Sequence, residues 1–153
     1  MKKRASAGTF LKVPIDEKFH TYARVLSSPV FAFYDFKTDS DDQELEVIEK
    51  SKILFKLCIY RSAIKRGGWK IVGHKELTPE MLTPVPFFIR EIGAPDICWI
   101  DRNGTRVRAN VDECIGLERL AVWDNNHVED RLRDYYNGVP NKWADSIALN
   151  VIF

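Results

Sequence analysis

No run of this sequence reaches the ~18 consecutive apolar residues that a membrane-spanning helix needs, so no span is expected. Cysteine is scarce: Cys58, Cys98 and Cys114 are widely spaced, and no CxxC pair exists. That excludes a zinc knuckle and a thioredoxin-type motif, and it points to reduced thiols. Histidine is equally scarce. His20, His74 and His127 show no HxH, HxxxH or HExxH spacing. Ligands can converge from distant positions, so the spacing weighs against a metal site without closing the question. Each of the three reads more simply as a surface or capping residue.

Other signatures are missing too. There is no GxSxG nucleophile elbow, and no GxxxxGK[ST] phosphate loop. An excess of charge of one sign is also lacking: 23 Lys and Arg face 22 Asp and Glu, a formal net charge of +1. Nucleic-acid modules usually run clearly basic, so neither nucleic acid nor an anionic membrane is an expected partner. The N-terminus is basic but has no long apolar stretch, because Lys12 and Pro14 follow directly on Phe10 and Leu11. An export signal is not expected, and a cytoplasmic location is.

What the sequence has is a core's worth of apolar residues, 45% of 153, enough for a folded domain. Leu11, Val13 and Ile15 alternate with polar residues, giving a strand that Pro14 ends or confines to an edge. Thr21 to Leu26 and Val30 to Phe36 follow as strands, separated by a Ser-Ser-Pro turn. Ile53 to Tyr60 is rich in β-branched and aromatic residues and reads as a central strand. Gly67 and Gly68 stop a helical turn over 61–66, and a strand returns at Trp69. Asn103-Gly104 between two alternating runs predicts a hairpin, because both residues tolerate positive φ. Another helical turn is expected over 112–117, and a last strand over 120–123.

The clearest helix follows. Asn126 is expected as its N-cap and Glu129 as the capping-box partner. Val128, Leu132 and Tyr135 form its apolar stripe, and Asn137-Gly138 with Pro140 ends it. The tail from Trp143 is apolar enough to pack onto the body. The indole N–H groups are expected to find carbonyl acceptors. Cys114, beside Asp112 and Glu113, reads as a structural or incidental thiol in a polar setting. The fold class is α+β and mainly antiparallel β: a curved sheet or partly open barrel with one clear helix near the C-terminus. A single domain over 1–153 is expected, with residues 1–7 flexible.

Two charged stretches stand out. Residues 35–50 hold seven acidic side chains against Lys37 and Lys50. Ser40 and Gln43 resemble a capping box there, and a short helix with Leu45 and Ile48 inward is one possible form. Residues 56–75 hold six basic side chains and no acidic one. The two stretches either neutralise each other or face a partner.

Three segments together resemble the immunity protein 26 family of bacterial polymorphic toxin systems. The first is Gly8-Thr-Phe-Leu-Lys-Val-Pro-Ile15 followed by Tyr22-Ala-Arg-Val-Leu26. The second is Ile53-Leu-Phe-Lys-Leu-Cys-Ile-Tyr60, leading through Gly67-Gly68-Trp69 to Ile71-Val-Gly-His-Lys75. The third is Gly116-Leu-Glu-Arg-Leu-Ala-Val-Trp123 with Val128-Glu-Asp-Arg-Leu132. The resemblance implies a protein encoded beside a toxin that binds and neutralises it, without cofactor or catalysis. The same grouping carries a phosphotriesterase name, so a small hydrolase is the enzymatic alternative, and a general interaction module is a third reading. No catalytic residue and no metal ligand transfers to numbered positions, and the oligomeric state is left open. Charge density alone nominates the contact residues: Asp39, Asp41, Asp42, Glu44 and Glu46 first, then Arg61, Lys65 and Arg66.

Overall fold

The computed structural model describes residues 4–149. Two open sheets form, with the strand order β10-β4-β3-β2-β1-β5 in one and β8-β7-β6-β9 in the other. In the first sheet, β1 (Thr9–Pro14), β2 (His20–Val25), β3 (Val30–Tyr34) and β4 (Ile53–Ile59) run antiparallel to their neighbours. β5 (Lys70–His74) closes one edge against β1, and β10 (Val122–Trp123) pairs parallel to β4 at the other. In the second, β6 (Pro86–Arg90) pairs with β7 (Cys98–Arg102) and β7 with β8 (Thr105–Ala109), while β9 (Glu118–Arg119) lies parallel to β6. The α+β, mostly antiparallel architecture follows the sequence pattern, and neither sheet is closed.

The period-2 alternation sorts the first sheet into two faces. Leu11, Val13, Ala23, Val25, Phe31, Phe33, Leu57 and Ile59 build one core. It is covered by α2 (Ser62–Arg66) and by α3 (Asn125–Asn137), which inserts Val128 and Leu132. On the other face Phe10, Tyr22 and Tyr34 pack under Ile48 of α1 (Leu45–Glu49). With both faces covered, β1 is buried on both sides. Pro14 is its last residue, and β1 lies between β2 and β5, not at an edge.

One register shift has a clear purpose. Leu11 faces Ile71 but Phe10 faces Gly73, so Val72 is an extra residue in β5. Such a bulge resets which face the following side chains occupy. Ile71 packs with the first core, whereas Gly73 lies under Leu45 of α1. A Cβ at position 73 would come within 2.6 Å of Leu45 Cδ1.

The hairpin forms as expected, with a two-residue loop: Arg102 pairs with Thr105, and Asn103 and Gly104 have φ of 54° and 89°. Four boundaries differ from the sequence reading. Helix α3 begins two residues earlier, because Asp124 and not Asn126 is the N-cap and accepts from the Asn125 N–H. Glu129, freed from capping, accepts instead from Trp69 Nε1 at 3.0 Å. Ser40 does not cap α1; its hydroxyl accepts from the Asp42 N–H in a local turn, and the helix starts at Leu45. The strand expected over 120–123 shortens to β10, Val122–Trp123, while Glu118–Arg119 just before it forms β9 in the other sheet. The turn expected over 112–117 is a shorter 3-10 turn, Val111–Cys114, held by a capping box between Asn110 and Glu113.

The tail forms α4 (Lys142–Ile147), capped by Asn141; the rest of the expected packing segment, residues 150–153, lies outside the described residues. So do residues 1–3 of the stretch expected to be flexible, while Ala5 is buried. Arg131 of α3 forks onto Glu118 of β9 with bonds of 2.8 and 2.9 Å, tying the helix over the first sheet to the second.

Candidate functional site

The acidic stretch folds back over the first sheet, and much of its charge is spent there. Asp41 forms an ion pair with Lys12. That hydrogen bond holds its carboxyl below the ordinary range, against a small opposing effect of burial. Glu46 and Glu49 both reach Lys75, at 3.7 and 2.5 Å. Lys75 in turn is raised chiefly by its hydrogen bond to Glu49. The two charged stretches of the sequence therefore neutralise each other in part. Asp39, Asp42 and Glu44 are exposed, and among the described residues they form no ion pair.

Beneath this stretch lies a residue the charge pattern did not single out. Arg24 is 0% exposed on the face covered by α1. Its guanidinium donates to the carbonyls of Lys75 (2.8 Å) and Glu76 (3.2 Å), reaches Glu49 at 3.5 Å and stacks 4.6 Å over Phe10. Its Nε finds no hydrogen-bond partner among the described residues. Arg24 thus fastens α1 and the exit of β5 to the sheet. Its position is structural.

The basic candidates separate. Arg66 pairs with Asp124 at 2.5 Å and so locks α2 to the start of α3. Arg61 donates to the Ala5 carbonyl at 2.8 Å and pins the N-terminal segment. Lys65 is exposed and, among the described residues, makes no ion pair. Arg61 and Lys65 line one open groove between α2, β5 and residues 4–6. Arg4 and Lys70 join them there, and none of the lining residues is acidic. The floor is apolar, from Ile64, Trp69 and Ile71. Lys70 belongs to the basic stretch seen in the sequence, but its place in the groove depends on β5 forming the sheet edge. Arg4 gave no signal.

The histidines do not converge. His20 opposes Pro14 and His74 opposes Thr9, so they sit at opposite ends of β1, ~17 Å apart at the usual strand rise. His20 is buried, not on the surface, with Nε2 3.0 Å from the Tyr22 hydroxyl, and burial foremost lowers its pKa. His74 is exposed and donates to the Ala7 carbonyl. His127 stacks on Trp143 with ring centroids 4.1 Å apart. No group of three metal-ligating side chains assembles among the described residues.

The thiols are buried, Cys114 included, which corrects its expected polar setting. Burial is the main cause that raises Cys58 and Cys114. Cys58 lines a hollow of about 170 Å³ between the sheets with Phe87, Leu120 and Asp101. The Asp101 carboxylate there is already engaged by the Gly104 N–H and Arg106. Three indoles donate to carboxylates and not to the expected carbonyls: Trp69 to Glu129, Trp99 to Glu91 and Trp143 to Asp130.

No curated protein and no solved structure gives a significant match to the chain. The family model described as immunity protein 26 matches residues 6–99. That span runs from β1 to the start of β7 and holds the acidic stretch and all of the α2–β5 groove except Arg4 and Ala5. The chain belongs to the immunity protein 26 family.

Proposed function

We propose that this protein neutralises a cognate bacterial toxin by binding it stoichiometrically in the cytoplasm. Family membership over residues 6–99 is the observation that carries this reading. A tight inhibitor needs roughly 800 Å² on its own side, with anchors at the centre and charge at the rim. The unpaired acids Asp39, Asp42 and Glu44 on one side, and Arg61 with Lys65 on the other, are the surfaces available for that rim.

The test is co-expression with the C-terminal toxin domain encoded by the neighbouring gene. Growth is expected to be restored, and a one-to-one complex is expected by size-exclusion chromatography. Failure to protect, together with no complex at micromolar concentration, would end this reading.

A further inference from the structure

We propose that the groove between α2 and the edge strand β5 is the toxin-docking surface, and that its occupant is an acidic segment of the toxin. This rests on the immunity reading above. Arg4, Arg61, Lys65 and Lys70 line the groove without any acidic residue, in a protein whose net charge is only +1. The cations are therefore concentrated on one concave surface. Charge of one sign in a cleft focuses the field and raises the on-rate of an oppositely charged partner.

The acidic stretch lacks this concentration. Its Asp41, Glu46 and Glu49 are paired internally, and the pairing draws Lys12 and Lys75 out of play. Lys65 has no such partner among the described residues, and Lys70 forms no ion pair there. The groove also offers what a solvated charged face does not: half-buried Ile64 and Ile71 and an exposed Val72, at 43%, for apolar contact beneath the charges. A protein segment with acidic and apolar side chains satisfies both features. A nucleic acid strand would satisfy the charge, but it would want an exposed aromatic platform, and Trp69 is buried at 4%.

The experiment measures binding of the neighbouring gene's toxin domain, catalytically inactivated, to the full chain by surface plasmon resonance at several salt concentrations. Lys65→Glu with Lys70→Glu is expected to slow association by about tenfold at low salt and to flatten its salt dependence. Lys65 and Lys70 are both exposed, so the fold is expected to survive the substitutions. Lys65→Gln with Lys70→Gln keeps the aliphatic stems and should show a smaller loss in the same direction. Asp39→Lys with Asp42→Lys should leave association within about twofold.

Wild-type kinetics in both Lys65/Lys70 variants, or a loss confined to Asp39/Asp42, overturns the groove while toxin neutralisation stands. No binding by the wild-type chain, with no protection in co-expression, overturns the immunity reading itself. A single-stranded DNA 12-mer that binds the wild type and not Lys65→Glu/Lys70→Glu, with toxin binding unchanged, assigns the groove to nucleic acid and overturns the proposal.

Discussion

Arg24 and Glu49 meet across 3.5 Å at the underside of α1, with the arginine side chain only 1% exposed. The pair joins the second strand of the sheet to a helix 25 residues away. Glu49 also holds Lys75, and Arg24 also holds the Lys75 carbonyl, so three chain segments converge on two side chains. Without Arg24, Glu49 keeps Lys75, but the carbonyls of Lys75 and Glu76 lose their donor.

Arg24→Met is therefore expected to cost on the order of 3 kcal/mol in urea unfolding. Arg24→Lys should recover little, because an ammonium cannot reach two carbonyls and a carboxylate in one plane. Glu49→Gln should cost less, since Arg24 keeps both carbonyl acceptors. An Arg24→Met protein within about 1 kcal/mol of wild type would show that this face is held by apolar packing alone.

Gly8 has φ of 94°, and a Cβ there would collide with the Lys75 carbonyl oxygen. Its own carbonyl accepts from the Lys75 N–H, so the close approach is part of the β1–β5 junction. Gly8→Ala is expected to lose on the order of 2 kcal/mol in stability. Gly68→Ala, at φ of 65° with open space around it, should lose only the backbone share, about 1 kcal/mol. Equal losses by thermal melting would mean that the contact with Lys75 contributes nothing.

The pattern of what was legible follows from how local each signal is. Asn103-Gly104 dictates its own turn, and Val128 with Leu132 marks a helix face without reference to anything else. Arg24 was hidden for the opposite reason. A charged residue alternating with Ala23 and Val25 reads as the solvent side of a strand, and its burial depends on α1 folding over it 25 residues later. The split of 118–123 between two sheets was equally hidden, because two-residue parallel pairings leave no periodicity to read. Likewise, charge density identified two stretches, but which acids are consumed internally depends on Lys12 and Lys75 in distant strands.

Glu129 and Glu49 are expected to shift stability with pH in opposite senses. Burial pushes the Glu129 carboxyl above its usual 4.5. Its contribution is present while it is protonated and is lost as pH rises through the folded value. Glu129→Gln, whose amide oxygen still accepts from Trp69, should melt higher than wild type at neutral pH and no higher in acid. The hydrogen bond from Lys75 pulls Glu49 below 4.5. Its contribution is present above the unfolded value and is lost as pH falls through the folded one. Glu49→Gln should therefore melt lower than wild type at neutral pH and converge with it in acid. A gain for Glu129→Gln that grew on acidification would contradict the burial argument.

Asp41→Asn removes an exposed ion pair with Lys12. The expected loss by chemical denaturation is close to nil. A larger loss would mean that the acidic stretch is anchored at Asp41 rather than at Glu49.

The span that matches the family, residues 6–99, is not the span that completes the first core. Trp123, Val128 and Leu132 come from beyond it, and β10 joins β4 by pairing Val122 with Cys58. During synthesis, then, β1 to β5 emerge from the ribosome with one face still open to water. That face stays sticky until α3 arrives, and a growing chain is most exposed to misassociation in such an interval. The α2–β5 groove borders the same face, through Trp69 and Ile64. Its Trp69 finds the acceptor for its N–H, Glu129, only on α3. A chain built this way completes its first core only once synthesis has passed α3.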